Sequence, residues 1–336
     1  MVLEDLMAQR ALVTGAGGFI GSHVVRQLVA QNWAVRAMLA PGEAATNLNG
    51  LNIETVEADV TDAQQVLETM KDCDTVFHLA ALYVLWMKDP GRMYAVNVGG
   101  TQNIMEAAKQ LGVQKVVHTS SIAAIGVKGN GQVADEDTPF SDYDVEDHYV
   151  LSKHRSEQLA LQYAKEGVPV VVVNPGFPFG PGDLKPTPTG RMVLDVVRQR
   201  LPGYVAGGLN AVDVEDVARG HLLAAEKGRV GERYCLVGTN ITYGDFLRRT
   251  AELAQVRLLD FEVPFPLAKV LSHGFVWGKK IFNVDPIMTP GLLQYISREL
   301  YFDNRKAREE LGLEFTPLDE TIKKSIHYFR HEWGKA

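Results

Sequence analysis

The sequence predicts an α/β fold, in which a doubly wound parallel sheet is followed by a smaller, mostly helical C-terminal domain. Over the first half of the chain, short apolar runs alternate with helical patterns, as is typical of parallel sheets. A glycine-rich segment follows the first apolar run directly and leads into a helical pattern. The alternation stops after Val173, because residues 174–190 hold five prolines and four glycines and therefore predict a loop. A chain of 336 residues is long enough for both domains.

Six apolar runs have the length of strands. They are short and carry few polar residues, as expected of strands that are buried on both faces of a sheet. The predicted strands are residues 11–14, 35–39, 53–57, 75–79, 115–119 and 168–173.

Helical patterns lie between these strands. The first has one apolar face, made of Ile20, Val24 and Leu28. Thr61 with Gln64 predicts a capping box that opens a helix ending at Met70. Residues 92–111 predict a long helix, with Gly112 at its C′ position.

The second half of the chain predicts helices at 191–200, 214–227 and 243–255, followed by a helical tail. We therefore predict a dinucleotide-binding domain at 1–175, to which residues 211–237 return. The substrate-binding domain is predicted at 176–210 and 238–336.

Composition excludes several classes of protein. Formal charge is −7 and there is no long basic block, which argues against a nucleic-acid partner. No apolar run reaches the roughly 18 residues of a membrane helix, and residues 1–10 lack a signal-peptide core, so we predict a cytoplasmic protein. The expected partner is a small-molecule substrate, and a homodimer is compatible with the sequence.

Cys73 and Cys235 have no second Cys or His at metal spacing, so they predict buried structural thiols and no metal site.

The glycine-rich segment runs from Thr14 to Gly21. Glycines remove the Cβ atoms that would keep backbone N–H groups and a helix N-terminus away from a pyrophosphate. The spacing of Gly15, Gly18 and Gly21 differs from the G-x-G-x-x-G fingerprint, and tight turns use the same residues. Because a strand precedes the segment and a helix follows it, we predict a dinucleotide site. The predicted contacts here are Gly15, Gly17, Gly18, Phe19 and Ile20.

Further cofactor contacts are expected where neighbouring strands end. Asp59, followed by Val60, could accept a hydrogen bond from an adenine amine, or it could hold a turn. The fourth strand ends in small residues that allow close approach: Leu79, Ala80 and Ala81. The second strand ends at Leu39 and Ala40, where neither an acid for NAD nor an arginine for NADP stands, and the residues leave the choice of cofactor open.

Tyr149 and Lys153 lie four residues apart and share one face of a predicted helix. A lysine cation is expected to lower the pKa of a neighbouring phenol, which could then exchange a proton with an alcohol oxygen. Ser120 and Ser121 end the fifth strand and could bond that oxygen, or they could cap a turn. Asn97, a poor helix former inside a predicted helix, either relays protons through water to Lys153 or holds a local bend.

Together these motifs resemble the extended short-chain dehydrogenases, which have a Rossmann-type fold, and the likeness covers nearly the whole chain. The loop at 174–191 is similar to that of the hopanoid-associated sugar epimerase group, a relative of dihydroflavonol 4-reductases and 3β-hydroxysteroid dehydrogenases. The resemblance implies an NAD(P)-dependent oxidoreductase and leans to NADP, the cofactor of most related reductases. It also implies a role for each matching residue: Ser121 as the catalytic serine with Ser120 beside it, Tyr149 as acid/base, Lys153 as its helper, and Pro175 and Gly176 at the nicotinamide amide.

Several positions depart from the family pattern. Ala40 stands where dihydroflavonol-type reductases carry an arginine, and Ile122 and Ala123 replace the Asp-Glu pair of nucleotide-sugar dehydratases. Leu209 and Gln294 stand where UDP-sugar epimerases hold a diphosphate with arginines. Asn174 does match an epimerase substrate residue, so a nucleotide-sugar 4-epimerase with tightly bound NAD is the alternative. A third possibility is a non-catalytic, NADP-sensing regulator on the same fold. The complete set of Ser121, Tyr149 and Lys153 argues against it, because a sensor has no need of all three.

Apolar residues near the predicted site favour a sterol-, terpenoid- or flavonoid-like ketone or alcohol as substrate. The expected lining comprises residues 81–87 with Tyr83, together with Phe177, Phe179 and Leu184 of the proline-rich loop. Further candidates are Phe265, Leu267, Val270, Leu271, Phe275, Val276 and Trp277. Alternatively, these residues form the core of the smaller domain.

Overall fold

The computed structural model describes residues 9–83, 87, 89–140, 147–282 and 288–333, except for the side chains of residues 276 and 278–282. Its strands are β1 (Arg10–Thr14), β2 (Ala34–Leu39), β3 (Glu54–Glu57), β4 (Thr75–His78), β5 (Lys115–Thr119), β6 (Val170–Pro175), β7 (Phe177–Phe179), β8 (Tyr204–Val205), β9 (Gly208–Asp213), β10 (Arg233–Leu236), β11 (Thr239–Thr242) and β12 (Glu262–Val263). Its helices are α1 (Phe19–Ala30), α2 (Ala63–Met70), α3 (Gly91–Tyr94), α4 (Gly100–Leu111), α5 (His148–Lys165), α6 (Pro188–Val197), α7 (Val214–Lys227), α8 (Tyr243–Ala254), α9 (Phe265–Phe282), α10 (Pro290–Ile296) and α11 (Leu318–Trp333).

Seven parallel strands form a Rossmann-type sheet in the order β10-β6-β5-β4-β1-β2-β3. The chain leaves β1 toward β2 and β3 on one side and returns through β4 to fill the other side. This reversal between β1 and β4 opens a crevice at the carboxyl ends of the strands, where such sheets bind ligands. The doubly wound fold predicted from the sequence is therefore confirmed.

Both faces of this sheet are buried, which explains its uninterrupted apolar strands. Successive side chains of β6 alternate between two cores: Val171 and Val173 pack with α1 and α7, whereas Val170 and Val172 face α2, α4 and α5. All six predicted strands are present within one or two residues of their expected bounds. A seventh strand, β10, completes the sheet beside β6.

Two helix predictions need revision. Asp62, not Thr61, caps α2, because its carboxylate accepts hydrogen bonds from the backbone N–H groups of Gln64 and Gln65. The predicted helix at 92–111 is continuous in space, but a π-helical turn at Ala95–Gly99 separates α3 from α4. Gly112 ends α4 with a φ of 68°, as predicted for a C′ glycine.

The second half of the chain builds a separate, smaller core. Strands β7, β9 and β11 form a three-stranded sheet, and α6, α8 and α11 cover it with a buried apolar cluster that includes Phe179, Phe246 and Phe329. The predicted boundary at residue 211 falls inside β9. After β9, the chain returns to the large sheet through α7 and then β10, which pairs with β6.

Cys73 and Cys235 are both buried free thiols, and burial raises the pKa of each. Within the described ranges, no helix has both the length and the apolar character needed to cross a bilayer.

Candidate active site

A cavity of about 800 Å³ opens at the carboxyl edge of the large sheet. Its walls come from the ends of β1, β2, β4, β5 and β6, from the start of α5, and from the proline-rich loop that follows β7. Fourteen of the fifteen predicted cofactor contacts line it: Gly15, Gly18, Phe19, Ile20, Asp59, Val60, Leu79, Ala80, Ala81, Ser120, Tyr149, Lys153, Pro175 and Gly176.

Two glycines of the phosphate loop, Gly15 and Gly21, leave no room for a side chain. Gly15 has a φ of 64°, and a Cβ there would lie 2.9 Å from the backbone nitrogen of Ala80. A Cβ on Gly21 would collide with the carbonyl oxygen of Gly15. The backbone thus approaches β4 closely while the N-terminus of α1 faces the cavity, which is the arrangement that a pyrophosphate requires. Gly17 does not line the cavity; a Cβ on it would lie 2.7 Å from a carboxylate oxygen of Glu43.

A buried polar chain fixes the floor beneath this loop. The Thr14 hydroxyl accepts from the backbone N–H groups of Leu79 and Ala80, and it lies 2.9 Å from His78 Nδ1. Because that hydroxyl can then donate only to Nδ1, His78 carries its proton on Nε2, 3.1 Å from the Thr101 hydroxyl. Burial lowers the pKa of His78 to about 3, so the ring is neutral. Its two hydrogen bonds link β4 to Thr14 of β1 and to Thr101 of α4.

The structure supports a turn-forming role for Asp59 and leaves its adenine role as a prediction. Its Oδ1 accepts from the backbone N–H of Thr61 at 2.9 Å and from the Thr61 hydroxyl at 2.8 Å. These hydrogen bonds lower the pKa of Asp59 and keep it ionised. The side chain also lines the cavity.

Tyr149, Ser121 and Lys153 meet where β5 and α5 converge. Asp147 caps α5 by accepting from the N–H groups of Tyr149 and Val150, which fixes where the helix begins. Ser121 Oγ accepts from the backbone N–H of Ala123 at 3.2 Å, and the Ser121 hydroxyl acts on the Tyr149 phenol in the direction that lowers its pKa. One turn later, Lys153 donates from Nζ to the carbonyl oxygen of Thr119 at 2.7 Å. All three side chains line the same cavity.

The charge states of this group differ from the expected ones. Burial raises the pKa of Tyr149 to about 12, although the hydrogen bond with Ser121 opposes the shift. The prediction that Lys153 lowers the pKa of Tyr149 is therefore wrong for the protein without a ligand. Burial penalises the phenolate more than the nearby groups stabilise it. Burial also lowers the pKa of Lys153 to about 8, with Glu157 opposing it, so the ammonium is still the major form at neutral pH.

Asn97 lies in the π-helical turn and is buried. Its side-chain oxygen accepts from the N–H of Leu82 at 2.7 Å, and its nitrogen donates to Ser152 Oγ at 2.9 Å and to the Leu82 carbonyl at 3.2 Å. These contacts tie the segment after β4 to α5, in agreement with the structural alternative. The water relay to Lys153 stays a prediction.

Glu43 lines the cavity and was missed from the sequence. The chain turns back at Ala40-Pro41-Gly42-Glu43: the N–H of Glu43 donates to the Ala40 carbonyl at 2.9 Å, and Gly42 has a φ of 73°. A Glu43 carboxylate oxygen also accepts from the Ala40 N–H at 3.0 Å. Pro-Gly at the centre of a type II turn was the available signal, because that turn returns the fourth residue to the end of the strand.

The other end of the cavity is lined by aromatic and apolar residues. The Tyr83 ring lies 4.6 Å from the ring of Tyr149 and is 45% exposed, and Phe177 is half-buried beside them. Tyr295 of α10, another residue missed from the sequence, reaches the same wall. Of the predicted segment 81–87, residues 84–86 lie outside the described residues.

Three groups of substrate predictions are corrected. Phe179 is 1% exposed and packs on Phe246 in the small core, so it cannot contact a ligand in the cavity. Leu184 is exposed and does not line the cavity. The apolar residues predicted from the segment 265–277 are also corrected. Their described side chains are exposed and form neither the cavity wall nor the core of the smaller domain: Phe265, Leu267, Val270, Leu271, Phe275 and Trp277. The Val276 side chain lies outside the described part.

Asn174 lies behind the site and not in it. It is fully buried, and its amide donates to the Ser121 carbonyl at 2.9 Å and to the Glu157 carboxylate at 2.5 Å. Leu209 is equally buried, in the small core. The position that matched an epimerase substrate residue therefore supports the backbone of Ser121.

Comparison with known proteins agrees with this geometry. The model of the NAD dependent epimerase/dehydratase family matches residues 11–237. A putative dihydroflavonol 4-reductase of Synechocystis sp. is 38% identical, over 97% of this chain and 96% of that protein. Sterol demethylase protein B of Methylococcus capsulatus is 34% identical, over 95% of this chain and 98% of that protein.

Two solved structures have the same architecture. The crystal structure of gox2253 has a TM-score of 0.87 and 38% identity, and the match covers 97% of this chain and 99% of that one. A nucleoside-diphosphate-sugar epimerase from Pseudomonas aeruginosa has a TM-score of 0.78 and 28% identity, covering 97% and 98% of the two chains.

Proposed function

The chain belongs to the NAD dependent epimerase/dehydratase family and is an NAD(P)-dependent oxidoreductase; we propose that it transfers hydride between NAD and a ketone or alcohol group of a largely apolar small molecule. One observation carries this proposal. Ser121, Tyr149 and Lys153 lie together in a cavity whose opposite end is a glycine loop without room for side chains.

The residues of the cavity fit a nicotinamide dinucleotide. The pyrophosphate would lie against the loop at Gly15 and Gly18, with the N-terminus of α1 directed at its charge. The Ser120 hydroxyl oxygen is buried at the cavity wall and has no hydrogen-bond partner among the described residues, as expected of a group that serves a ligand. When bound, the nicotinamide supplies or accepts the hydride.

Tyr149 would exchange the proton at the substrate oxygen, and Ser121 would hydrogen-bond the same oxygen. A pKa of about 12 keeps the phenol protonated at neutral pH, so the group is ready to donate. The Lys153 cation would stabilise the phenolate that donation leaves behind.

The substrate end of the cavity supports an apolar ligand. Its wall combines Leu82, Tyr83, Phe177 and Tyr295 with the apolar residues after Ser121. Arg92 also lines the cavity, where its charge contributes to lowering the pKa of Asp59. Sterol demethylase protein B, named for a sterol, is among the similar proteins. We infer a ketone or alcohol on a sterol-, terpenoid- or flavonoid-like molecule.

Glu43 supports NAD as the cofactor, against the lean to NADP that the resemblance gave. A carboxylate at the end of the second strand can accept from the 2′-hydroxyl of the adenosine ribose. The same carboxylate would repel the 2′-phosphate of NADP. Ala40, at the cavity wall beside it, offers no positive charge in compensation.

The alternative is a nucleotide-sugar 4-epimerase, favoured by the 28% identical solved structure. Such an enzyme keeps its nicotinamide bound and shows no net redox. The burial of Asn174 and Leu209 away from the cavity counts against it.

The experiment that separates them is a turnover assay. Purified protein is mixed with NADH or NADPH and a panel of steroid, terpenoid and aryl ketones, and the absorbance of the reduced cofactor is followed. We expect consumption of NADH with at least one apolar ketone. Epimerisation of a UDP-sugar without net cofactor consumption, and no response to any ketone, would reject the proposal in favour of the epimerase.

A further inference from the structure

Helix α9 presents an apolar surface that the proposed reaction does not use. Among its residues whose exposure is described, only Ala268 and Ser272 are buried, four positions apart. The helix therefore rests on the protein along one narrow seam of small side chains. Its other described side chains face outward.

The exposed surface is large and continuous along the sequence. Val270 is 70% exposed and Trp277 is 65% exposed, the highest values among the exposed large hydrophobic residues. The surface comprises Leu259, Phe261, Phe265, Leu267, Val270, Leu271, Phe275 and Trp277. Single exposed apolar residues are ordinary, but eight within nineteen positions mark an interaction surface.

The charges of α9 are of one sign. The sequence of α9 holds Lys269, Lys279 and Lys280 and no Asp or Glu, although the whole chain has a formal charge of −7. Two carboxylates precede the helix: Asp260 is bonded to Arg248 and Tyr204, and Glu262 is exposed in β12. A cationic, apolar helix on an acidic protein is complementary to a surface that combines hydrocarbon with negative charge.

We propose that α9 is an interfacial helix that docks this protein on an anionic lipid bilayer. The apolar side chains would enter the boundary between headgroups and acyl chains, and Lys269 would contact the headgroups. Tryptophan, with its apolar ring and polar N–H, is typical of that depth. Three lysines within eighteen residues make the helix unsuited to spanning the bilayer.

The position of α9 connects this surface with the cavity. Helix α10 packs against α9, and Tyr295 of α10 lines the cavity. An apolar ligand dissolved in the bilayer would thus meet the protein next to its site. The docking itself goes beyond the proposed reaction and does not depend on it.

Vesicle sedimentation tests the proposal. The full-length protein is mixed with vesicles of phosphatidylcholine alone, or of phosphatidylcholine with phosphatidylglycerol, at low and high salt. We expect sedimentation with the anionic vesicles, reduced at high salt because screening weakens the attraction between lysines and headgroups. Equal recovery in the supernatant with both kinds of vesicle would overturn the proposal.

Variants assign the binding to α9. Val270→Ser with Trp277→Ser should abolish sedimentation, and Lys269→Glu, a change at an exposed lysine, should weaken it about fivefold or more, from the usual contribution of one lysine near an anionic surface. The matched control is Val230→Ser, an exposed apolar residue on the segment between α7 and β10, which should bind as the parent does. If the control lost as much binding as the α9 variants, the assignment would be wrong.

Tryptophan fluorescence reports the depth of insertion. Brominated lipids should quench the parent protein, and Trp277→Phe should remove most of the quenching while the protein still sediments. A second copy of the chain is the competing occupant of this surface. If sedimentation velocity showed a dimer that Val270→Ser converts to monomer, with no vesicle binding in either form, the lipid proposal would be overturned.

Discussion

The phosphate loop and helix α9 are both conspicuous in the sequence, but only the first lies where the sequence placed it. The loop's glycines are required by backbone geometry, since Gly15 has a positive φ and lies against Ala80. The apolar residues of α9 satisfy no such local requirement, and they are exposed rather than lining the cavity. A sequence pattern that restricts the backbone, such as the glycines of the phosphate loop, thus predicts where a segment lies in the fold. The apolar residues of α9 predict only that these side chains are covered, and not by which part of the molecule or by which partner.

The largest effect is expected at Tyr149. Tyr149→Phe removes the proton donor with little change in volume, so turnover should fall by roughly two to four orders of magnitude while NAD still binds. Steady-state kinetics and calorimetry with NAD measure the two quantities. The matched control is Tyr163→Phe on the same helix, whose hydroxyl donates to Glu106 away from the cavity. Similar losses in both variants would show that the effect is structural.

Substitutions in the small core should lower the free energy of unfolding much more than substitutions on the exposed surface of α9. Phe179→Ala removes a buried ring packed on Phe246 and should lower the free energy of unfolding by about 3–5 kcal/mol. Val270→Ser, on the exposed surface of α9, should change it by no more than about 0.5 kcal/mol. Denaturant unfolding measures both. A large cost for Val270→Ser would mean that α9 is covered within the chain.

A third prediction isolates the close approach of the phosphate loop. Ala at residue 15 or at residue 112 must adopt a positive φ, which costs roughly 1–2 kcal/mol at either position. Only at Gly15 would the added Cβ also press on the backbone of Ala80, because nothing lies within 4 Å at Gly112. We expect Gly15→Ala to weaken NAD binding about tenfold or more and Gly112→Ala to leave it unchanged. Equal NAD affinity in the two variants would refute the role of the loop.

The smallest effect concerns the choice of cofactor. Glu43→Gln removes the charge that faces the ribose site, so the preference for NAD over NADP should fall about tenfold, the value of one charge-assisted hydrogen bond. Glu57→Gln is the control, because Glu57 accepts from Gly42 on the same turn but does not line the cavity. An unchanged ratio of the two dissociation constants in Glu43→Gln would remove Glu43 from cofactor selection.

The large sheet and most of the cavity wall could be predicted because each rests on local chemistry. Apolar strands, glycines at a strand end and a Tyr-Lys pair one helical turn apart are all visible within a few residues. Glu43 and Tyr295 were missed because a turn and a distant helix bring them to the cavity. The pKa of Tyr149 was expected to fall because the sequence shows the neighbouring lysine but not the burial that outweighs it.

The central claim, that Tyr149 serves hydride transfer to an apolar carbonyl, is tested most directly with NADH deuterated at the transferred position. Mass spectrometry of the alcohol formed from a responding ketone should show one deuterium per molecule with the parent protein. Tyr149→Phe should form that product at least about a hundredfold more slowly, and Tyr163→Phe at the parent rate. An alcohol without deuterium, or formation of the labelled alcohol by Tyr149→Phe at the parent rate, would contradict the claim.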